Sequence, residues 1–351
     1  CERWQSLRIH AEAPTDLVAA KLVKFMKSTV STFWRLQKLD LRLPDNRDIS
    51  QVELISAISQ KAPALDEVIL YSPHDQFPAW STDPAREVLA SLGSLTLNSA
   101  LAEPGLKPLL QSTSHLLTTL KLEVPDRTRW IHQTLPQLSR SEKALLPSVT
   151  SLSISDHHSK SWDLERFFDV LELPSLQHLS LTLTTGPQFW RPSLWNNFLA
   201  RFLRGLGRGL LSLSIEDQCS WTAWSQDMES SFSTILALPA LQSVTTWSLS
   251  GRSGSALVKT LLNASGPQQL PALQSLSIRG CMDLSHGMVV ELLRSRATTH
   301  KESPEGSQRL RSLEVEFISS SELEAARREL KDQDCKGVYV RFSVLGEGRL
   351  G

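Results

Sequence analysis

One apolar hexad, L-x-x-L-x-L, recurs along the whole 351-residue chain and restricts its fold more than any other feature. The middle apolar residues of successive copies lie 25 to 37 residues apart, a spacing typical of proteins built from stacked repeats. Sixty residues are leucine, and the hexad accounts for this excess. Clear copies begin at Leu36, Leu65, Leu92, Leu117, Val149, Leu176, Leu210, Leu273 and Leu310, and weaker ones at Trp4, Leu241 and Cys335.

Between the hexads lie segments whose apolar residues have helical spacing, such as Val52 to Ile58 and Leu194 to Leu206. Five hexads follow a proline that ends the preceding helix: Pro63, Pro147, Pro174, Pro239 and Pro271. The sequence therefore predicts an α/β fold, a leucine-rich-repeat solenoid shaped as a horseshoe or arc. About 11–12 irregular repeats would form a parallel inner sheet with outer helices. We expect a single domain over 1–345, with a surface insertion at 298–308 and a frayed tail at 346–351.

Composition excludes several classes of function. The 37 basic and 37 acidic side chains balance, so neither nucleic acid nor a membrane is an expected partner. The four cysteines are far apart and form no C-x-x-C pair, which favours free thiols in a cytoplasmic or nuclear protein. Because the chain opens Cys1-Glu2-Arg3-Trp4 within a strand-like pattern and without methionine, we expect it to be part of a longer protein.

Strand alternation predicts which side chains leave the core. Small hydroxyls would occupy the middle of the inner sheet, among them Ser153, Ser180, Ser214, Ser243, Thr245 and Ser277. Charged and aromatic side chains would gather toward its ends: Arg8, His10, Lys38, Asp40, Arg42, Glu67 and Tyr71 early, and Arg279, Glu314 and Glu316 late. Such a shallow polar surface suits protein docking, although any solvated strand face tolerates serine and threonine.

Tryptophans recur 8 to 12 residues after the middle apolar residue of several repeats, where the loops after the strands are expected. Trp80, Trp130, Trp162, Trp190, Trp221 and Trp224 follow this rule. They could be interface residues or could simply cover each helix start. The candidate protein-binding residues are Tyr71, His74, Arg129, Trp130, His157, His158, Trp190, Trp221 and Arg252.

No motif supports an enzyme or a cofactor. Gly205-Leu206-Gly207-Arg208-Gly209 lies between a helical segment and a strand, the reverse of the order in a phosphate-binding loop. His157 and His158 are adjacent in a loop and no third ligand has suitable spacing, so a metal site is not expected. We expect no catalytic, cofactor-binding or metal-ligating residues.

The repeat that begins at Leu273 reads Leu273-Gln274-Ser275-Leu276-Ser277-Ile278-Arg279-Gly280-Cys281. It resembles the cysteine-containing repeat of fungal F-box/LRR proteins. In that family an N-terminal F-box binds the Skp adaptor of a cullin ubiquitin ligase, and the repeats select the protein to be ubiquitylated. The resemblance therefore implies a substrate-binding repeat array. Nothing before Trp4 can supply the F-box, so this chain itself should not bind the adaptor. A scaffold or regulatory repeat protein unrelated to ubiquitylation is the alternative.

Overall fold

The hexads form parallel strands whose leucines are buried, as the repeat predicts. The structure, a computed structural model, describes residues 4–10, 16–28, 32–42, 49–71, 89–98, 110, 116–124, 143–156, 168, 171–183, 199–217, 227–251, 253–263, 270–281, 284–298, 310–330, 335 and 337–345. The chain divides into two units, Cys1–Leu176 and Gln177–Gly351, which are described separately below. Thr298, the first residue of the predicted insertion 298–308, belongs to a helix that ends there, and residues 299–308 and the tail at 346–351 lie outside the described residues. The single domain stays a prediction.

Unit 1 contains a parallel sheet in which each strand pairs with that of the next repeat. Its order is β1-β2-β3-β4-β5-β7, and β6 and β8 form a separate short parallel pair. The elements are β1 Ser6–His10, α1 Asp16–Ser28, β2 Lys38–Arg42, α2 Ile49–Ser59, β3 Glu67–Tyr71, β4 Ser94–Asn98, β5 Thr119–Val124, β6 Ala144–Leu145, β7 Ser151–Asp156 and β8 Leu171–Glu172.

Unit 2 repeats this arrangement with β9 to β14 in sequential order, all of them parallel. Its elements are β9 His178–Leu183, α3 Ala200–Gly205, β10 Ser212–Asp217, α4 Asp227–Leu236, a 3₁₀ turn Pro239–Ser243, β11 Thr246–Ser250, α5 Ser253–Asn263, β12 Ser275–Arg279, α6 His286–Thr298, β13 Ser312–Phe317, α7 Ser320–Glu329 and β14 Tyr339–Val344. Successive helices α4 to α7 pack against one another. Each unit therefore has the leucine-rich-repeat fold, and the predicted fold class is confirmed.

The core consists of the hexad residues stacked in rows from strand to strand. Leu39, Val68, Leu95, Leu120 and Leu152 are register partners in unit 1, and all are fully buried. The buried residues of each strand shield those of the next strand from water. Burial of one aliphatic side chain stabilises the fold by about 1.5–3 kcal/mol. The first hexad residue closes the turn before the strand, as when the Leu36 amide donates to the Phe33 carbonyl at 3.0 Å.

A forked hydrogen bond fixes the register at the start of most strands. One carbonyl accepts from two consecutive amides of the next repeat: Gln37 N and Lys38 N both donate to Gln5 O, at 2.9 and 3.1 Å. The same fork recurs at the carbonyls of Gln37, Asp66, Gly93, Thr118, Gln177, Leu211, Thr245 and Gln274. Because the fork precedes the strand, differences in repeat length do not shift the pairing of the strands.

Two of the weak hexads have a register that differs from the prediction. The copy assigned to Leu241, Val244 and Thr246 is wrong: Trp247 pairs with Leu213 and Leu276, and Thr246 begins the strand. Residues 239–243 form an additional 3₁₀ turn, which moves the strand three residues along the chain. In the last repeat Val340, and not Val338, pairs with Leu313, because Cys335 and Val338 close the preceding turn.

A close approach of helix and strand depends on glycine at the start of α5. Gly254 is buried, and a β-carbon added there would overlap Cys281 Sγ and lie 2.6 Å from Ile278 Cγ2. Cys281 is itself buried just after β12. Only a residue without a side chain lets α5 lie against this cysteine.

Helices α6 and α7 are joined by a polar cluster around His286, the first residue of α6. The His286 amide donates to Glu322 Oε2 at 2.7 Å, so a carboxylate from α7 caps the start of α6. His286 Nδ1 lies 2.8 Å from the same oxygen, and Nε2 lies 3.4 Å from Glu329 Oε2. The hydrogen bond from the His286 amide, followed by that with its side chain, lowers the pKa of Glu322 below its ordinary value.

Candidate protein-binding face

The residues that alternate with the buried hexad residues form the second face of each sheet, called here the inner face. In unit 1 its register rows are Ser6, Lys38, Glu67, Ser94, Thr119 and Ser151; Arg8, Asp40, Ile69, Thr96, Lys121 and Ser153; and His10, Arg42, Tyr71, Asn98, Glu123 and Ser155. In unit 2 they are His178, Ser212, Thr246, Ser275, Ser312 and Tyr339; Ser180, Ser214, Ser248, Ser277, Glu314 and Arg341; and Thr182, Glu216, Ser250, Arg279, Glu316 and Ser343.

A row of four serines runs across the middle of unit 2. Ser180, Ser214, Ser248 and Ser277 lie on consecutive strands in register, and each is half-buried. Neighbouring strands are about 4.8 Å apart, so the row offers closely spaced hydroxyl donors and acceptors. Small side chains also let the backbone of a partner approach the sheet. The predicted hydroxyl surface is confirmed in this unit.

Two of the predicted hydroxyls do not belong to this face. Ser243 lies in the 3₁₀ turn, where its hydroxyl donates to the Leu210 carbonyl at 2.9 Å. Thr245 precedes β11 and donates to the Leu211 carbonyl at 3.1 Å. Both side chains satisfy backbone carbonyls of the neighbouring repeat, and the extra turn places Thr246, Ser248 and Ser250 on the inner face instead.

The late strands of unit 2 carry an ordered set of charges. Arg279 Nη2 lies 3.2 Å from Glu314 Oε2, and Arg279 Nε donates to Ser277 Oγ at 3.2 Å. Arg341 is exposed and Glu316 is half-buried, and the described residues provide no side-chain partner for either. This end of unit 2 therefore presents charges of both signs to a partner.

The early strands of unit 1 carry a more tightly organised group. The side chain of Asp40 is only 2% exposed, and its two oxygens accept from Arg8 Nε at 2.8 Å and from Arg42 Nε at 3.2 Å. Beside it, Lys38 Nζ lies 2.7 Å from Glu67 Oε1. The Arg8, Asp40 and Arg42 group, called here the arginine pair, is thus built around one buried carboxylate.

Most candidate residues from the sequence lie outside the described residues. Tyr71 is described: it ends β3, is half-buried, and occupies the register row next to Arg42 on the inner face. The candidates outside the described residues are His74, Arg129, Trp130, His157, His158, Trp190, Trp221 and Arg252, as are the tryptophans Trp80, Trp162 and Trp224. Their role in binding stays a prediction.

Sequence reasoning placed Asp40 on the inner face but missed that it anchors two arginines. The available signal was an aspartate between two hexad leucines, with an arginine two residues later and another at the same position of the preceding hexad. Buried carboxylates need ionic or hydrogen-bonded partners, so this pattern points to a charge cluster held together by Asp40.

The described residues contain no group of three or more His, Cys, Asp or Glu side chains that could hold a metal ion. Nor does any described helix combine the length and the apolar character needed to cross a bilayer.

Comparison with known proteins gives a weak structural similarity. No protein-family model and no curated protein matches this chain. Among solved structures, the leucine-rich repeat-containing protein LegL7 from Legionella pneumophila is similar, with 14% identity and a TM-score of 0.44 over 97% of this chain and 89% of that chain. A likeness at this level indicates neither a shared partner nor a shared activity.

Proposed function

We propose that this chain is a non-enzymatic protein-recognition module and that the inner face is its binding surface. One observation carries the proposal: regular rows of small hydroxyls and ordered ion pairs cover the sheet face opposite the buried leucines. Such a surface is polar and repetitive, whereas small-molecule sites are deep and mostly apolar. Its polar groups are spaced to meet the backbone and side chains of another protein.

The finer proposal is that the chain is the substrate-binding array of an F-box type ubiquitin-ligase receptor in the cytoplasm or nucleus. It is supported by the resemblance of Leu273 to Cys281 to the cysteine-containing repeat. Cys281 is buried after β12, and its side chain lies where a β-carbon on Gly254 would be, as expected for a repeat-defining core residue. The adaptor of the ligase would be bound only through an F-box preceding Trp4.

Site-specific photocrosslinking tests the binding surface. A benzophenone amino acid replaces Ser214 on the inner face, and in a matched variant it replaces Glu291, which is exposed on α6. We expect discrete protein adducts from position 214 in cells and few from position 291, with identification by mass spectrometry. Adducts from position 291 alone, or from neither position, would contradict recognition through this face.

The ligase role is tested with the protein encoded by the complete gene. We expect it to copurify with a Skp adaptor, whereas residues 1–351 alone should not. Inhibition of cullin ligases should raise the cellular level of the protein crosslinked at position 214. An unchanged level and no copurifying adaptor would favour the scaffold role.

A further inference from the structure

We propose that the arginine pair of unit 1 is a receptor for a carboxylate side chain in an acidic segment of the partner protein. This inference rests on the proposed function and specifies the chemistry of its partner. It follows from the way in which Arg8, Asp40 and Arg42 share their charges.

Asp40 holds both guanidinium groups in fixed positions. Arg8 and Asp40 are register partners on β1 and β2, and Arg42 follows two residues later on the same face. Each arginine uses Nε on a different oxygen of Asp40, at 2.8 and 3.2 Å. Each carboxylate oxygen therefore contacts one arginine, and the buried charge is shared between the two guanidinium groups.

The terminal nitrogens of both arginines remain available. No described residue accepts a hydrogen bond from the Nη groups of Arg8 or Arg42, and the two side chains are 68% and 50% exposed. Guanidinium groups present donors in a planar fork that matches a carboxylate. Because Asp40 already orders both side chains, an arriving carboxylate loses less affinity to side-chain ordering than it would with free arginines.

The charge balance favours a single negative group. Two arginines around one aspartate leave a net charge of about +1, while Lys38 and Glu67 neutralise each other at 2.7 Å. On the neighbouring strands of the same row as Arg42 lie His10 and Tyr71, which add polar groups. The site thus fits a glutamate or aspartate within a protein segment better than a nucleic acid.

Fluorescence anisotropy with short labelled peptides tests this. The probes are a Gly/Ser peptide with two glutamates, the same peptide with two lysines, and one with two phosphoserines. We expect the glutamate peptide to bind unit 1 of the full chain, to weaken with added salt, and to be preferred over the other two.

The informative variant removes the whole group, Arg8→Ala, Asp40→Ala and Arg42→Ala together, so that no buried carboxylate loses its partners. We expect the affinity for the glutamate peptide to fall about tenfold or more, a loss equivalent to roughly 1.4 kcal/mol. The matched control is Arg327→Ala with Glu324→Ala, an exposed ion pair on α7 that lies outside the inner face, and should bind as the wild type does. Circular dichroism and thermal unfolding confirm that both variants fold.

If the triple variant fails to fold, Arg42→Lys retains the charge but removes the Nε contact with Asp40 and should weaken binding partially. Equal binding by wild type and a folded variant, or preference for the lysine or phosphoserine peptide, would overturn the assignment. These results leave the crosslinking at position 214 unaffected, so failure of this inference is distinguishable from failure of the proposed function.

Discussion

Trp247 occupies a core position of unit 2 at which the neighbouring strands have leucine, and its indole nitrogen is a polar atom in this core. The side chain is fully buried between Leu213 and Leu276, and no described residue forms a hydrogen bond with its Nε1. An unsatisfied buried donor costs about 1–3 kcal/mol, which offsets part of what the large ring contributes.

Substitutions at Trp247 should therefore differ sharply. We expect Trp247→Phe to change the free energy of unfolding by less than about 1 kcal/mol, because lost volume and the removed donor oppose each other. Trp247→Ala should lower it by about 3–5 kcal/mol. Urea unfolding measures both, with Leu249→Ala as a control in the same strand. A large loss in Trp247→Phe would mean that a buried water satisfies Nε1.

Two glycines at the second positions of helices α5 and α6 form a matched pair. Gly254→Ala would force its β-carbon into Cys281 and should destabilise the protein by about 1–3 kcal/mol. Gly287→Ala has no atom within 4 Å of the added carbon and should be neutral or slightly stabilising. Thermal unfolding of the two variants tests this, and the double variant Gly254→Ala with Cys281→Ala should recover part of the loss.

At the scale of elements, the contact between α6 and α7 depends on the charge of Glu322. Its lowered pKa means that the folded state favours the ionised form. This contribution is complete above the ordinary pKa of 4.5 and is lost as the pH falls through the lower value of the folded state. Because Glu322 is partly exposed, the contribution is modest.

We therefore expect Glu322→Gln to be less stable than the wild type at pH 7 by up to about 1 kcal/mol. The difference should disappear at a pH well below 4.5, where both side chains are neutral. Glu324→Gln serves as the control, since Glu324 is exposed and pairs with Arg327 on its own helix, at 3.2 Å. A difference that persists unchanged in acid would contradict the role of the charge.

Elements were predictable where the hexad is unambiguous. The helical spacing from Val52 to Ile58 identified α2, and the strong hexads identified their strands. The strand that contains Trp247 was predicted in the wrong register. Leu241, Val244 and Trp247 are spaced by three residues, so two registers satisfy the same apolar pattern. The hydrophobic pattern does not distinguish a turn of L-x-x-L from the start of a strand, and pairing with neighbouring strands decides between them.

At the scale of the whole molecule, the inner face was predictable but its charge organisation was not. Alternation placed Ser214 and Asp40 on the correct face without knowledge of their neighbours. Alternation alone does not indicate that Asp40 is buried and paired with two arginines; that requires the preceding hexad, with Arg8, to be aligned with this one. The predicted binding loops, including Arg129 and His157, stay predictions.

Cooperativity between repeats can be tested at two adjacent residues of β10. Leu213→Asp places a carboxylate in the core and should unfold the neighbouring repeats together, because its register partners Leu179 and Trp247 offer no counter-charge. Ser214→Asp adds the same charge to the inner face and should leave the fold intact. Hydrogen–deuterium exchange should show loss of protection in β9 to β11 only in the first variant. Wild-type protection in Leu213→Asp would contradict the strand assignment.

Because of the forked hydrogen bonds, the strands of each sheet are paired in regular register although the repeats differ in length. Neighbouring strands are about 4.8 Å apart, whereas an extended polypeptide advances about 3.3 Å per residue. A ligand lying across the strands would thus meet every second strand with every third of its residues. One residue in every three of such a ligand would then determine binding specificity, and the other two residues could vary.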